Sequence, residues 1–267
     1  MHAHFLDPYR AGSSLVHALD ARVKFVLALA FILTTALAPP GAWAAYILLL
    51  AVVLSVELLS ELGVAFVLRR SMLALPFVLA ALPVLFTIDG PVLFQARLGA
   101  WTLTATSAGL ARLAAIGLKS WISVQAAILL ATTTSFPDLL MAMRAVRVPR
   151  LLVAIFGLMW RYLFVLADEV MRLSRARQAR SGQSDRPGLR SGGSLAWRAR
   201  ITGGMAGNLF LRAFERSDRI YTAMLSRGYD GEVRAAPLPP LAPLSWGVLW
   251  SGLLLLGGVL ALSILLV

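Results

Sequence analysis

The chain has 267 residues, of which 59% are hydrophobic and only 14% are charged, yet its formal net charge is +12. A soluble domain is about 45–50% apolar and about 25% charged, so this composition excludes an ordinary soluble globule. A nucleic-acid-binding protein would account for the charge but not for the hydrophobicity. A membrane protein accounts for both if its basic residues lie on one side of the bilayer. No cysteine is present, which excludes disulfides and thiolate chemistry.

Long apolar segments predict five membrane helices. Pro39-Pro40-Gly41 cannot continue a helix and therefore separates the first two, each near the minimum of about 17 residues that spans a bilayer. Two prolines, Pro76 and Pro83, predict kinks in the third helix. The predicted helices are about Ala21–Ala38, Ala42–Leu59, Ser71–Ile88, Thr104–Ala131 and Trp246–Val267.

Two basic residues interrupt the fourth predicted helix. Arg112 and Lys119 are seven residues apart, which places them on one helical face. They are expected either to reach the membrane surface or pair with a neighbouring helix, or to form a polar face against a partner.

The distribution of basic residues predicts an orientation in the membrane. Residues 144–234 contain 17 of the 25 lysines and arginines and have a net charge of +10. With five crossings this basic block shares one side with Arg22 and Lys24, and with Arg69 and Arg70. The positive-inside rule then places the N-terminus and the basic block in the cytoplasm, and the C-terminus outside, in a multi-pass protein of the cell (inner) membrane.

The basic block itself is expected to be helical. Leu151–Ala167 is apolar, but a sixth span there would place most of the block outside. We therefore expect a helix at the membrane boundary that continues through Asp168–Arg180. Gln183–Gly193 has the composition of a mobile linker. Asn208–Ser226 has an amphipathic pattern, with an apolar stripe that comprises Phe210, Phe214, Tyr221, Met224 and Leu225.

Both predicted helices end in a similar way, with an arginine after a small residue and a glycine close behind. These arginines, Arg180 and Arg227, are called the tip arginines below. An arginine in a last helical turn is favoured by the helix dipole and can act simply in capping. Its five donors also suit a carboxylate on a partner, and a duplicated tip suits a duplicated receptor.

Several stretches resemble the transmembrane T component of energy-coupling-factor (ECF) transporters, and most closely its cobalt-type CbiQ branch. The most specific is residues 215–231, ERSDRIYTAMLSRGYDG. Residues 19–24, LDARVK, resemble the family's N-terminal element with alanine in place of proline. Thr132-Thr133-Thr134, Asp138-Leu139-Leu140 and Val148-Pro149 resemble the junction into its cytoplasmic domain.

The resemblance implies a function without catalysis. T components hold a membrane-embedded, substrate-binding S component, and their cytoplasmic helix ends dock into two ABC-type ATPase subunits, a homodimer or a heterodimer. The implied docking motifs are Ala179-Arg180-Ser181 and Ser226-Arg227-Gly228, each one residue away from the family's Ala-Arg-Gly. The residues expected to contact the S component are Phe210, Phe214, Tyr221 and Met224. Cobalt uptake for cobalamin biosynthesis is the implied transport, with nickel or a vitamin as the alternative.

The predicted organisation is thus an all-α integral membrane protein with a cytoplasmic α-helical coupling domain. Its parts are residues 1–136 with four membrane helices, the coupling domain 137–240, and 241–267 with the last helix. No cofactor, metal site or nucleic-acid partner is predicted; His2 and His4 form too sparse a set for a metal. A lipid or prenyl transferase would need paired acidic clusters, and an ATPase a phosphate-binding loop; the sequence contains neither.

Overall fold

The computed structural model describes residues 8–98, 101–180, 194–230, 238 and 240–265. The chain divides into two compact units. One contains Pro8–Val146 and Leu238–Val267 and is called the bundle unit below. The other contains Arg147–Pro237 and is called the helix-pair unit.

Nine α-helices and two β-strands lie in the described part of the bundle unit, and two long helices form that of the helix-pair unit. The bundle unit consists of α1 (Leu15–Ala18), α2 (Ala21–Leu37), α3 (Trp43–Leu59), α4 (Val64–Ser71), α5 (Leu75–Ala80), α6 (Val84–Thr87), β1 (Val92–Leu98), β2 (Trp101–Thr106), α7 (Ser107–Thr133), α8 (Phe136–Ala145) and α11 (Pro243–Leu265). The helix-pair unit consists of α9 (Arg150–Arg180) and α10 (Leu195–Ser226). The prediction of an all-α membrane protein is confirmed, with one added β-hairpin.

The first two predicted membrane helices form a helical hairpin. α2 and α3 each contain 17 residues, and the turn between them holds Gly41 at φ +107°, a backbone conformation that favours glycine. The Tyr46 hydroxyl donates to the carbonyl oxygen of Pro39 at 2.7 Å. This bond ties the start of α3 to the turn.

The third predicted helix differs from the structure. It begins at Val64, after Gly63, and is divided into α4, a 3₁₀ turn at Met72–Ala74, α5 and α6. Pro76 lies in the first turn of α5 and Pro83 is the N-cap of α6, positions where a missing N–H is tolerated. The predicted start at Ser71 is therefore wrong. The helix is irregular near both prolines, with the 3₁₀ turn just before Pro76 and a turn that separates α5 from α6 at Pro83.

A β-hairpin precedes α7 and includes Thr104, the predicted start of the fourth helix. β1 and β2 pair antiparallel from Val92 opposite Thr106 to Leu98 opposite Trp101. The predicted helix start at Thr104 is wrong because alternating threonines favour a pleated strand. The side chain of Thr106 then caps α7 by accepting from the Gly109 N–H at 3.0 Å.

Lys119 connects α7 to the end of α2. Its ammonium group donates to the carbonyl oxygens of Ala38 and Ala36, the latter at 3.2 Å. These carbonyls lie beyond the last internal hydrogen bonds of α2, where a helix needs outside donors. Pairing with a neighbouring helix, one of the alternatives for Lys119, is thus the observed one.

A polar cluster ties the start of α2 to the end of α7. Asp20 caps α2, and its carboxylate accepts from the Arg22 guanidinium at 3.0 and 2.7 Å. The hydrogen bond from Arg22 holds the pKa of Asp20 below its ordinary value. Lys24 donates to the carbonyl oxygen of Thr133 at 2.8 Å, and the Arg10 N–H to that of Thr132 at 2.9 Å.

The apolar core of the bundle unit is built from α2, α3, α4, α7 and α11. Its buried side chains include Phe31, Leu49, Ile122 and Leu256. Gly252 lets α11 approach α2 closely, since a Cβ atom at this position would lie 2.6 Å from Leu27 Cδ2.

Four helical stretches of the described chain are long and apolar enough to cross a membrane. They are Val64–Thr87, Ser107–Thr133, Arg150–Arg180 and Pro243–Leu265. Trp43–Leu59 is apolar but shorter. The protein is therefore a multi-pass membrane protein.

The helix-pair unit contains one helix as predicted and one that is longer than predicted. α9 joins the apolar 151–167 segment to the polar 168–180 segment without a break. α10 begins at Leu195, capped by Ser194, rather than at Asn208. Its first half includes Gly203, Gly204 and Gly207, although glycine has a low helix propensity. The predicted linker Gln183–Gly193 lies outside the described residues.

Candidate functional site

The second predicted docking motif forms the C-terminal cap of α10. Gly228 has φ +81°, its N–H donates to the Leu225 carbonyl, and the Tyr229 N–H donates to that of Met224, both at 3.0 Å. These two bonds define a Schellman motif, in which glycine occupies the left-handed position. Arg227 is the cap residue at φ −95° and its side chain is exposed. The cap thus presents Arg227 at the end of a rigid helix.

The first predicted docking motif lies at the end of α9. Arg180 is the last residue of the helix, and both Ala179 and Arg180 are exposed. Ser181, the third residue of this motif, lies outside the described residues. Like Arg227, Arg180 occupies a helix C-terminus, where the helix dipole favours a cation.

The predicted apolar stripe of α10 is open. Phe210, Phe214 and Tyr221 are 68%, 60% and 55% exposed, and Met224 is half-buried. None of the residues of α10 is buried. Large apolar side chains exposed in one row are typical of a contact surface for a protein or a membrane.

One carboxylate joins the two helices of this unit. Glu169 of α9 is 8% exposed, and its oxygens lie 3.3 Å from Arg212 Nη1 and 3.5 Å from Arg216 Nη2 of α10. These three residues are called the Glu169 cluster below. A further hydrogen bond joins Arg177 Nη1 to Thr202 Oγ1 at 3.0 Å.

The structure brings some of the predicted site residues together and keeps others apart. Arg227, Met224 and Tyr221 share the last turns of α10, whereas Arg180 ends the other helix. No group of three or more histidine, cysteine or acidic residues that could hold a metal occurs within the described residues. His2 and His4 lie outside them.

Sequence reasoning missed the role of Glu169. The only local signal was an acidic pair, Asp168-Glu169, at the border between an apolar and a basic segment. Its two partners follow more than forty residues later, at positions 212 and 216, four residues apart and therefore on one face of α10.

Comparisons with known proteins agree with this architecture. The family model described as cobalt transport protein, CbiQ, matches residues 12–237. The chain is 31% identical over 188 residues to the cobalt transport protein CbiQ of Rhodobacter capsulatus, covering 70% of this chain and 72% of that protein. It is 30% identical over 265 residues to the energy-coupling factor transporter transmembrane protein EcfT of Exiguobacterium sibiricum, covering 96% and 95%. It is 28% identical over 241 residues to CbiQ of Salmonella typhimurium, covering 85% and 97%. The chain therefore belongs to the CbiQ family of cobalt transport proteins, the transmembrane components of ECF transporters.

Proposed function

We propose that this chain is the coupling subunit of an ECF-type importer that transports cobalt ions. In this function Arg180 and Arg227 dock into two ABC-type ATPase subunits, and α9 and α10 transmit the ATPase motion to a membrane-embedded, substrate-binding partner. The chain itself catalyses no reaction. The observation that carries the proposal is the exposed Arg227 held by a Schellman cap at the end of α10.

The mechanism follows from the rigidity of the two helices. ATP binding and hydrolysis close and open the ATPase pair, and each tip arginine can hold a partner carboxylate through paired N–H donors. α9 has 31 residues and α10 has 32, so each helix is roughly 45 Å long. A rigid helix of this length can transmit a displacement of its tip to its other end. The exposed stripe of Phe210, Phe214 and Tyr221 would pass it to the substrate-binding partner.

The proposed orientation places the N-terminus and the helix-pair unit in the cytoplasm and the C-terminus outside the cell membrane. The net charge of +10 over residues 144–234 supports this orientation, as do the exposed basic side chains of α9 and α10. We keep residues 137–240 as the proposed bounds of the cytoplasmic coupling domain.

Reversing the charge of one tip arginine tests the proposal. Arg227→Glu should leave the protein in the membrane but abolish ATP-driven cobalt uptake, because a carboxylate cannot pair with an acidic groove. Uptake of radioactive cobalt is measured in cells that contain the complete transporter, together with the amount of ATPase that co-purifies. Arg219→Glu is the matched control, because it makes the same charge reversal at an exposed position two turns earlier on α10.

Normal uptake by Arg227→Glu, or equal losses in both variants, would overturn the role of the tip. The same purification identifies the substrate. Cobalt bound to a small membrane partner would support cobalt transport, whereas bound nickel or a bound vitamin would show that this is the transported substrate instead.

A further inference from the structure

The Glu169 cluster fixes one point of α10 against one point of α9. The carboxylate of Glu169 is nearly buried and faces two guanidinium groups, at 3.3 Å from Arg212 and 3.5 Å from Arg216. These are the ion pairs between α9 and α10 within the described residues. Since α10 buries no residue of its own, this cluster contributes a large share of what fixes its position on α9.

The two helices run in opposite directions at this contact. Eight residues beyond Glu169 along α9, Arg177 contacts Thr202, which precedes Arg212 by ten residues along α10. The C-terminal ends of α9 and α10, and with them the tip arginines, therefore extend away from the Glu169 cluster in opposite directions.

The cluster lies at similar distances along the two helices from the tips. Glu169 precedes Arg180 by eleven residues, and Arg216 and Arg212 precede Arg227 by eleven and fifteen residues. At 1.5 Å per residue the first interval is about 16 Å and the second is about 16–23 Å, or three to four helical turns. Two arms of similar length, each ending in an exposed arginine, extend from this contact.

We propose that Glu169 is a positioning residue that makes this point the pivot of a two-armed lever. The pivot holds the two helices together at one crossing, so that a displacement of one tip is passed to the other. Arms of similar length suit two ATPase subunits of similar size that move symmetrically. This inference rests on the proposed function, in which both tips dock into ATPases.

Both arginines of the cluster pair with the carboxylate of Glu169. Arg212 and Arg216 are four residues apart on one face, an arrangement that is destabilising for like charges unless an anion lies between them. Arg216 Nη1 is buried and has no hydrogen-bond partner, so this guanidinium depends on the ion pair with Glu169. Neutralising Glu169 would leave two neighbouring cations of α10 without their counter-charge and weaken the contact between α10 and α9.

The distance between two spin labels, one on each arm, reports whether the Glu169 cluster holds the two helices in one arrangement. The chain has no cysteine, so Ala176→Cys on α9 and Ala223→Cys on α10, both at exposed positions, place two labels without the removal of any native cysteine. The labelled full chain is reconstituted in nanodiscs with its ATPases and membrane partner. Electron–electron resonance then gives the distance distribution between the labels, and cobalt transported per ATP hydrolysed is measured in proteoliposomes.

Glu169→Gln should broaden the label distances and lower the cobalt transported per ATP by about tenfold, the loss expected for a charge-assisted contact. Glu215→Gln removes an exposed acid beside Arg216 and should change neither readout. The inverted cluster, with Glu169→Arg, Arg212→Glu and Arg216→Glu together, should restore the narrow distribution and most of the transport.

An unchanged distance distribution in Glu169→Gln would overturn the pivot. Broadened distances with normal transport per ATP would overturn its role in coupling. Failure of the proposed function is distinguishable, because it would appear as normal transport in the tip variant Arg227→Glu, whatever the label distances are. If the inverted cluster broadens the distances as much as Glu169→Gln does, charge complementarity is not what fixes the crossing.

Discussion

At the scale of single residues, the C-terminal cap of α10 depends on one glycine. Gly228 adopts φ +81°, and a Cβ atom added there would meet no other atom within 4 Å. The cost of a side chain at this position is therefore backbone strain alone, about 1 kcal/mol for alanine. Because Arg227 directly precedes this residue, the cap controls the direction of a tip arginine.

Gly228→Ala should loosen this cap without unfolding the helix. The amides of Gly228 and Tyr229, which donate the two capping hydrogen bonds, should exchange about fivefold faster with deuterium. Gly228→Asn is the control, since asparagine tolerates the left-handed region better than alanine does. Equal protection in the alanine variant and the native chain would contradict the strain argument.

The Asp20–Arg22 pair makes the stability of the bundle unit depend on pH. The hydrogen bond from Arg22 lowers the pKa of Asp20, so the pair stabilises the fold above the ordinary carboxyl pKa of about 3.9. This stabilisation is lost as the pH falls through the lowered folded value. Thermal unfolding of the purified protein between about pH 6 and about pH 2 should show the loss, and Asp20→Asn should remove this part of the dependence. A native-like acid profile in the asparagine variant would contradict the assignment.

At the scale of elements, the contact between α2 and α11 depends on a missing side chain. Gly252→Val should force Leu27 out of its present position between α2 and α11, because the new Cβ atom would lie 2.6 Å from Leu27 Cδ2. The expected cost in the free energy of unfolding is about 1–3 kcal/mol. Gly258→Val, in open surroundings on the same helix, is the control. Leu27→Ala should offset part of the cost, and no offset would mean that the strain lies elsewhere.

The elements that local sequence determines were predicted well. Pro39-Pro40-Gly41 gave the α2–α3 hairpin to within a residue, and the apolar run from Trp246 gave α11 except for its first turn. Two features with a weak or misleading local signal were not predicted. The β1–β2 hairpin is short and adjoins a helix, and the three glycines of α10 have the local preference of a loop.

The residues of the candidate site likewise divide into those with a local sequence signal and those without one. Arg180 and Arg227 were found because a helix end has a local signature. Glu169 was not, since nothing near an acidic residue in the sequence shows that two arginines more than forty residues later will face it.

At the scale of the whole molecule, the distribution of charge predicts one orientation in the membrane. A single cysteine at Gln95, exposed on β1, should react with a membrane-impermeant maleimide added outside intact cells. A single cysteine at Ala223 on α10 should react only after the membrane is permeabilised. The opposite labelling pattern would invert the proposed topology, and labelling of both positions from outside would contradict the number of crossings.

The bond from Lys119 to the end of α2 has a consequence for how the chain is inserted during synthesis. The carbonyls of Ala36 and Ala38 precede their donor by 83 and 81 residues. At about 5–20 residues per second, the ribosome needs about 4–16 s to make this intervening chain. Until α7 arrives, only water or lipid headgroups can satisfy these carbonyls. We therefore expect the turn of the α2–α3 hairpin to stay at the membrane surface until α7 has been made.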